Sequence, residues 1–315
     1  MSLPRDPRLL VVALGSRALH GGGRAPGREA WIRALERSLP PLVDAAMAGF
    51  RIVLVHGDAP PDQAGARARS RPVVPRPIAL DRRAAEIQGG VGYAIQQVLG
   101  SLGRARGVEM SVAVVVTRVE VVPDDPAFTR PTLAIGRPYP AAQARRLARE
   151  HGWTFLGRAT ARRRVVPSPR PHRVLEADVI RRLADTGTIT LAAGGGGVPV
   201  IATVEGYRGV DAVLAEDATA GLLATAVAAD RLVFLTGVDH VEVGHRTDRA
   251  IRVEHLSRIE ALALMKAREF PSSSIGPKVE AAAQFVDAGG REAIITSLPA
   301  LRAALEGRAG TRIVL

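Results

Sequence analysis

The sequence predicts an α/β protein built around a mostly parallel β-sheet, and three observations support this prediction. Short, continuous runs of β-branched and other apolar residues recur along the chain, beginning near Leu9, Phe50, Val112, Thr188, Arg231 and Glu292. Runs of this length and composition are typical of strands that are covered on both faces. Helix-like patterns lie between them, and strands that alternate with helices favour a parallel sheet.

The six strands predicted in chain order are LLVVALG, FRIVLVHG, VAVVVTRV, TITLAAGG, RLVFLTGV and EAIITSL. A stripe of apolar side chains predicts a helix over residues 82–102, between the second and third strands. A second helix is predicted over 278–288, because Gly289 and Gly290 form a plausible helix stop before the last strand.

The length of 315 residues corresponds to two domains of about 150 residues each, or to one large α/β domain with an outgrowth. Residues 123–171 differ from the rest of the chain, since they are rich in proline and arginine and contain a single helical stretch at 141–150. We therefore expect residues 1–315 to form one domain, with residues 123–171 as a small protruding subdomain or lid.

The composition excludes several classes of protein. The chain is 47% hydrophobic and 23% charged, which excludes wholesale disorder. It has no cysteine, so disulfides, thiolate metal sites and a thiol nucleophile are excluded. No apolar run is long enough for a membrane span, and no cleavage site follows the first strand, so we expect a cytoplasmic protein without a membrane partner.

The net charge of +12 comes from an unusual set of basic residues, since 41 are arginines and the two lysines are Lys266 and Lys278. A positive field attracts polyanions nonspecifically. However, the arginines are scattered and the aromatic residues are few, so no specific nucleic-acid partner is expected.

Glycines cluster where the predicted strands end, at Gly15, Gly57, Gly194–Gly197 and Gly237. In a parallel sheet the carboxyl ends of the strands form the ligand crevice, and glycine there lets backbone N–H groups approach an anion. One such cluster is most often a structural turn, but four at one edge of the sheet favour a ligand that carries phosphate.

Familiar motifs for other chemistries are missing. The sequence has no P-loop, no G-x-G-x-x-G after the first strand, and none of the protein-kinase signatures. It has no G-x-S-x-G elbow, and its seven histidines show no metal-binding spacing, so we predict no metal site formed by protein ligands alone.

Several long segments resemble carbamate kinases, which belong to the amino acid kinase family. They are EIQGGVGYAIQQ from Glu86, DDPAFTRPTLAIGRPY from Asp124, RRRVVPSPRP from Arg162, AAGGGGVPV from Ala192 and SSIGPKVEAAAQFVDAGGREAIITSL from Ser273. The resemblance is collinear and covers nearly the whole chain.

The resemblance implies a three-layer αβα sandwich that is usually a homodimer. It also implies reversible phosphoryl transfer between ATP and carbamate, which gives ADP and carbamoyl phosphate with Mg²⁺. The partner would be a small-molecule acceptor, carbamate or a related small acid.

The sequence departs from the family pattern at several positions of the phosphoryl-transfer site. The usual Gly-Gly-Asn after the first strand is here Gly15, Ser16 and Arg17, and the usual His-Gly-Asn-Gly-Pro has Asp58 and Ala59 in its third and fourth positions. A lysine expected in Pro-Thr-Lys is replaced by Leu133, and the lysine of Asp-Lys-Asp is replaced by Glu216. Losing one preorganised donor typically costs about 10²- to 10³-fold in rate.

The positions that the resemblance assigns to the nucleotide are retained better. They include Lys278, one of two lysines among many arginines, which indicates that a guanidinium would not serve there. We assign three groups of residues: catalytic Lys278, Arg17 and Asp217; substrate-binding Gly15, Ser16, Gly57, Asp58 and Ala59; nucleotide-binding Gly194, Gly195, Gly196, Gly197, Glu216, Thr236, Gly237 and Lys278.

Two principal hypotheses remain open at the level of the sequence. The first is an ATP-dependent phosphotransferase of the carbamate kinase type with a changed acceptor or a lower activity. The second is a catalytically inactive homologue that acts as a nucleotide-binding regulator or a scaffold. Binding of a polyanion is a third, lesser alternative.

Overall fold

The computed structural model describes residues 8–15, 27–57, 78–158, 161–244, 250–271 and 274–315. The strands in these ranges are β1 Leu9–Leu14, β2 Arg51–His56, β3 Val112–Val115, β4 Arg118–Val121, β5 Leu133–Tyr139, β6 Thr154–Arg158, β7 Ala161–Val166, β8 Pro171–Val174, β9 Ile189–Ala192, β10 Val198–Thr203, β11 Gly206–Gly209, β12 Arg231–Thr236, β13 Val241–Val243, β14 Ile251–Val253, β15 His255–Ser257, β16 Glu292–Ser297 and β17 Thr311–Val314.

The helices in the described residues are α1 Arg28–Ser38, α2 Pro40–Met47, α3 Leu80–Ala105, α4 Pro126–Thr129, α5 Ala141–His151, α6 Ala177–Asp185, α7 Glu216–Ala226, α8 Arg258–Lys266, α9 Ile275–Asp287 and α10 Leu301–Leu305. No helix in the described residues is long and apolar enough to span a bilayer.

The main sheet has eight strands in the order β15-β17-β16-β12-β1-β2-β9-β3. The six strands from β16 to β3 run parallel to one another, and β17 pairs with β16 in the antiparallel direction. The predicted α/β class with a mostly parallel sheet is therefore confirmed. The carboxyl ends of the six parallel strands meet at one edge, which we call the carboxyl edge.

The sheet is covered on both faces, as the apolar strands predict. One core cluster packs α6, α7, α8 and α9 against one face, with Phe234 and Phe285 among its largest fully buried side chains. The other cluster packs α1, α2, α3 and α10 against the opposite face. The chain is thus a three-layer αβα sandwich.

One predicted strand divides into two. The run VAVVVTRV, expected as a single strand, forms β3 in the main sheet and β4 in a separate four-stranded sheet of order β11-β10-β4-β8. The break falls at Val116 and Thr117, because the backbone N–H of Thr117 donates to the side chain of Gln88 at 2.8 Å instead of to a strand.

Both predicted helices of the main body form and are longer than expected. The glycines inside α3 do not end the helix, and Gly92 is needed for close packing, since a Cβ there would lie 2.6 Å from Cγ1 of Val114. Helix α9 begins at Ile275, three residues before the predicted start, so Lys278 lies in its first turn.

Residues 123–171 contain a three-stranded antiparallel sheet of order β5-β7-β6 and two helices instead of the single one expected: α5 matches the expected 141–150 closely, and the short α4 was not predicted. Aromatic rings of Tyr139, Trp153 and Phe155 pack together in this segment. The guanidinium of Arg164 stacks 4.0 Å over the centre of the Trp153 ring and also pairs with Asp211 of the main body, Nη2 to Oδ2 at 3.2 Å.

Candidate active site at the carboxyl edge of the sheet

The candidate site is a cavity of about 1100 Å³ above the carboxyl ends of β1, β12 and β16. It is somewhat larger than the roughly 300–1,000 Å³ of typical ligand pockets. Its walls come from both helical layers and include Glu216 and Asp217 of α7, Lys278 of α9, and Arg37 at the end of α1.

The strand ends supply the floor of this cavity. Gly15 follows β1, Thr236 is the last residue of β12 and Gly237 follows it; all three line the cavity. The N–H of Gly15 donates to the carbonyl of Leu235 at 3.4 Å, which extends the pairing of β1 with β12. The hydroxyl oxygen of Thr236 accepts from the N–H of Val238 at 3.2 Å and so shapes the loop after β12.

The central charged feature is an ion pair between Lys278 and Asp217. The Nζ atom of Lys278 donates to Oδ1 and to Oδ2 of Asp217, at 3.0 Å each. Both side chains are only 15% exposed, and Nζ also lies 6.0 Å from the centre of the Phe234 ring. The pair therefore joins the first turns of α7 and α9, which belong to the same helical layer, on the wall of the cavity.

Burial raises the pKa of Asp217 above the ordinary aspartate value, and the ammonium of Lys278 opposes that shift through its charge and its hydrogen bonds. Asp217 lies in the first turn of α7, next to Glu216. Unpaired N–H groups at a helix start favour negative charge, which helps to keep the carboxylate ionised. An ionised Asp217 fixes the position of the Lys278 ammonium.

The tetraglycine turn, Gly194–Gly197, follows β9 at the same edge but does not line the cavity. Its glycines are required by close packing: a Cβ on Gly194 would lie 2.2 Å from the His56 ring, and one on Gly196 would lie 2.6 Å from the carbonyl oxygen of Leu214. The hydroxyl of Thr219 donates to the carbonyl of Gly196 at 3.0 Å, which ties the turn to α7.

His56 ends β2 beneath the tetraglycine turn and is 1% exposed. Burial lowers the pKa of His56 to about 4, because the charged ring would lose its hydration. Its Nδ1 lies 2.9 Å from the carbonyl oxygen of Gly57. His56 is thus a neutral packing residue at neutral pH, and Gly57 is held beside it, with its own N–H donating to Leu14 at 3.0 Å.

The structure thus brings together one part of the predicted site around the cavity, namely Gly15, Glu216, Asp217, Thr236, Gly237 and Lys278. Gly57 and Gly194–Gly197 lie at the same edge without lining the cavity. Four predicted residues, Ser16, Arg17, Asp58 and Ala59, lie outside the described residues.

Leu133 is the first residue of β5, where it is half-buried and pairs with Val166. It therefore places an apolar side chain at the position where the resemblance expects a lysine.

Sequence reasoning missed the wall formed by the junction of α1 and α2, which contributes Arg37, Ser38, Pro40 and Pro41. No motif marks these residues, because they reach the cavity only through the packing of α1 and α2 on the sheet. It also missed Ser297, the last residue of β16, and Pro299, which follows the strand, although EAIITSL was predicted as a strand that ends at this edge.

A scan against protein families matches the amino acid kinase family over residues 8–297. Among curated proteins, the chain is similar to the carbamate kinase of Pyrococcus horikoshii, with 35% identity over 98% of this chain and 99% of that protein. It is also similar to carbamate kinase 3 of Staphylococcus aureus, with 38% identity over 96% of this chain and 98% of that protein.

Among solved structures, the chain is similar to the carbamate kinase from Giardia lamblia bound to AMP-PNP, with a TM-score of 0.89 and 32% identity. The match covers 98% of this chain and 99% of that one. A structure from Aeropyrum pernix matches with the same TM-score and 35% identity, over 98% of this chain and all of that one.

Proposed function

The chain belongs to the amino acid kinase family, and we propose that it is a carbamate kinase-like phosphotransferase that moves a phosphoryl group reversibly between ATP and carbamate or a related small acid. The observation that carries this proposal is the buried pair of Lys278 and Asp217 on the wall of the cavity. The AMP-PNP bound to the relative from Giardia lamblia supports a nucleotide as one of the two substrates.

Lys278 is the proposed cation for the transferred phosphoryl group. An ammonium has three donors. Two of them are directed at the carboxylate oxygens of Asp217, each at 3.0 Å, which leaves the third for a phosphate oxygen in the cavity. Phosphoryl transfer needs positioned charge more than covalent chemistry, so a lysine held on two sides suits this role.

We propose that Mg²⁺ enters the site with the nucleotide. Among the described residues, no group of three or more His, Asp or Glu side chains could hold a metal ion by itself. Mg²⁺ usually keeps several waters and binds through substrate phosphates and one or two carboxylates. Asp217 and Glu216 are carboxylates on the cavity wall that fit such a role.

The acceptor side is where we expect this chain to differ from its relatives. We propose that Arg17 replaces the usual amide by offering a bidentate guanidinium to a phosphate or carboxylate. Leu133 and Glu216 remove two positive charges that the resemblance implies, which weakens the attraction for a small anion. The expected result is a changed acceptor preference or a lower rate with carbamate.

The test is formation of ATP from ADP and carbamoyl phosphate, with magnesium, by the wild-type chain and by Lys278→Ala. We expect Lys278→Ala to reduce kcat/KM by about 10²- to 10³-fold, as for the loss of one preorganised charged group. Lys266→Ala is the matched control, because Lys266 is the only other lysine and is exposed at the end of α8. It should retain wild-type kinetics.

An acceptor panel of carbamate, acetate and formate with ATP completes the assay. Absence of turnover above that of Lys278→Ala with every acceptor, and with carbamoyl phosphate in the reverse direction, would reject the phosphotransferase. Tight ADP binding by calorimetry together with that absence would point instead to the nucleotide-binding regulator.

We also propose that the chain acts as a cytoplasmic homodimer with residues 123–171 as a lid over the site. The full-length match to carbamate kinases supports this assembly. Two contacts attach this segment to the main body, from Arg164 to Asp211 and from the Val213 N–H to the Pro167 carbonyl at 3.0 Å, and both lie outside the cavity lining. Sedimentation would give the assembly, and Asp211→Asn would test the lid through its effect on KM.

A further inference from the structure

The wall of the cavity at the carboxyl edge carries more carboxylates than cations. Among the described residues, the charged side chains that line it are Arg37, Lys278, Glu216, Asp217, Asp239 and Glu242. His240 is the other titratable side chain in this part of the lining. Both proposed substrates carry phosphate, and carboxylates repel a phosphate while cations attract it. Each of the two cations therefore matters for binding an anion in this cavity.

The two cations differ in the partners that they already have. The ammonium of Lys278 donates to both carboxylate oxygens of Asp217, at 3.0 Å each. The guanidinium of Arg37 is exposed and makes no hydrogen bond or ion pair with any residue that the structure describes. A guanidinium has five N–H donors in a fixed fork. Arg37 therefore brings to the cavity a positive charge that no described carboxylate neutralises by direct contact.

Arg37 and Lys278 reach the same cavity from opposite helical layers. Arg37 lies in the last turn of α1, which packs with α2, α3 and α10 on one face of the sheet. Lys278 lies in the first turn of α9, which packs with α7 on the other face. A phosphate loses charge to its surroundings through several oxygens, and cations on more than one side suit that distribution. The two side chains thus place one cation in each layer of the cavity wall.

The backbone that carries Arg37 is firmly held. The N–H of Leu39 donates to the carbonyl of Leu35 at 2.8 Å, and both of these side chains are fully buried. Pro40 and Pro41 open α2 directly afterwards, and their rings fix φ at the junction of the two helices. The side chain of Arg37 therefore starts from a fixed point beside the cavity.

From these observations we infer that Arg37 is a second phosphate-binding cation of the site, whose guanidinium binds phosphate oxygens of the nucleotide or of carbamoyl phosphate. This inference rests on the proposed function and adds to it a binding residue that no motif marks. A guanidinium can bind two phosphate oxygens at once. From the layer opposite Lys278, Arg37 supplies part of the positive charge that Leu133 and Glu216 remove.

The experiment compares Arg37→Gln with Arg33→Gln in the full chain. Glutamine removes the charge and is about as good a helix former as arginine. Arg33 is the matched control, because it lies one turn earlier on α1, pairs with Glu29 at 3.7 Å and does not line the cavity. We expect Arg37→Gln to weaken ADP binding in calorimetry, or to raise KM for carbamoyl phosphate, by about tenfold, as for one lost hydrogen bond to a charged group. Arg33→Gln should match the wild type.

Two comparisons identify the group that Arg37 binds. A rise in KM for ADP alone assigns Arg37 to the nucleotide, and a rise in KM for carbamoyl phosphate alone assigns it to the acceptor's phosphate. Adenosine has no phosphate, so the wild type and Arg37→Gln should bind it equally. An equal loss of affinity for adenosine and for ADP, with KM for carbamoyl phosphate unchanged, would overturn the inference, because the effect would then not come from a phosphate contact.

The remaining outcomes separate this inference from a structural role and from the proposed function. A lower Tm in Arg37→Gln, with unchanged ADP affinity and unchanged KM for carbamoyl phosphate, would overturn the inference and show that Arg37 only stabilises the end of α1. If the wild-type chain has no turnover, the proposed function fails, and weaker binding of ADP or of carbamoyl phosphate by Arg37→Gln in calorimetry still supports the inference. Equal binding of both ligands by the two chains, or no binding of either ligand by the wild type, contradicts it.

Discussion

Two buried ionic clusters lie at opposite ends of the same strands, and they differ in what surrounds them. At the amino ends of β12 and β16, the carboxylate of Glu292 pairs with Arg231 at 2.6 Å and also with Arg312. At the carboxyl ends, Asp217 pairs with one cation among the described residues, Lys278. The exposed fractions are similar, 9–13% in the first cluster and 15% in the second.

Burial and charge therefore do not distinguish a functional ion pair from a structural one. In the cluster at Glu292 both carboxylate oxygens are paired, Arg312 also donates to the carbonyl of Ala304, and none of the three side chains lines the cavity. The pair of Lys278 and Asp217 lies on the wall of a cavity of about 1100 Å³, and its two bonds use two of the three donors of the ammonium. The open volume beside the second pair is the reason that we propose it, and not the cluster at Glu292, as the site of chemistry.

The largest expected effect is on stability, at the amino end. Glu292→Ala leaves Arg231 and Arg312 buried without their carboxylate, and breaking a buried ion pair typically costs about 3–5 kcal/mol. Urea denaturation should show this loss in the free energy of unfolding, with kcat/KM unchanged for the folded fraction.

The surface of the protein offers a matched control. Glu306 also pairs with two arginines, Arg302 and Arg308, but it is 41% exposed. Because solvent screens that pair, Glu306→Ala should leave stability almost unchanged. Equal losses in Glu292→Ala and Glu306→Ala would show that burial does not strengthen the first cluster.

The next effect is on activity, at the carboxyl end. Lys278→Arg keeps the charge, but a planar guanidinium needs more room than an ammonium and points its donors differently. Between Asp217 and the Phe234 ring we expect a fall in kcat/KM of about 10²-fold, with ordinary stability. Lys266→Arg is the control. Retained activity in Lys278→Arg would mean that charge alone suffices.

The strands of the main sheet could be predicted from the sequence, but the division of one run between two sheets could not. All six apolar runs form strands of the main sheet, because continuous apolar composition requires cover on both faces. The break of VAVVVTRV at Thr117 could not be predicted, since it depends on Gln88, 29 residues away, taking the Thr117 backbone out of the sheet.

The same contrast holds for the site. Lys278 was predicted because it is a rare lysine in a long motif, and Asp217 because it keeps its place in a family pattern. Arg37 carries no such signal, since it reaches the cavity only through the tertiary packing of α1. The glycines of Gly194–Gly197 gave a correct signal for a tight turn, but the packing against His56 that requires Gly194 is visible only in three dimensions.

A smaller effect is expected from His56, the last residue of β2 at the carboxyl edge. Its pKa is lowered from 6.5 to about 4 by burial, so between these values the unfolded chain binds a proton that the folded chain does not. The part of the folding stability that depends on His56 is therefore complete above pH 6.5 and is lost as the pH falls through this window. From pH 7 to pH 5 the loss should be about 2 kcal/mol, at about 1.4 kcal/mol per pH unit below 6.5.

Denaturation of the wild type and of His56→Gln at both pH values tests this link. The variant should lose the part of the pH dependence that His56 supplies, whatever its stability at pH 7. His255→Gln, a change at an exposed histidine, should behave like the wild type. A pH dependence identical in all three chains would show that His56 titrates normally in the folded protein.

The smallest expected effect concerns the two lysines as chemical targets. Cyanate carbamoylates amines through isocyanic acid. The amine nitrogen bonds to the carbon of isocyanic acid, a proton moves from the amine to the isocyanic acid nitrogen, and the product is a substituted urea. Lys266 is exposed, whereas Lys278 is 15% exposed and lies against both carboxylate oxygens of Asp217. Because reagent access falls with burial, mass spectrometry should find Lys266 modified well before Lys278, while ATP formation persists.

Asp217→Asn should bring the two rates closer together, since it removes the negative charge that holds Lys278 in place. If Lys278 reacts as fast as Lys266 in the wild type, the side chain of Lys278 is accessible in solution. The pair at the carboxyl edge would then not share the burial of the cluster at Glu292.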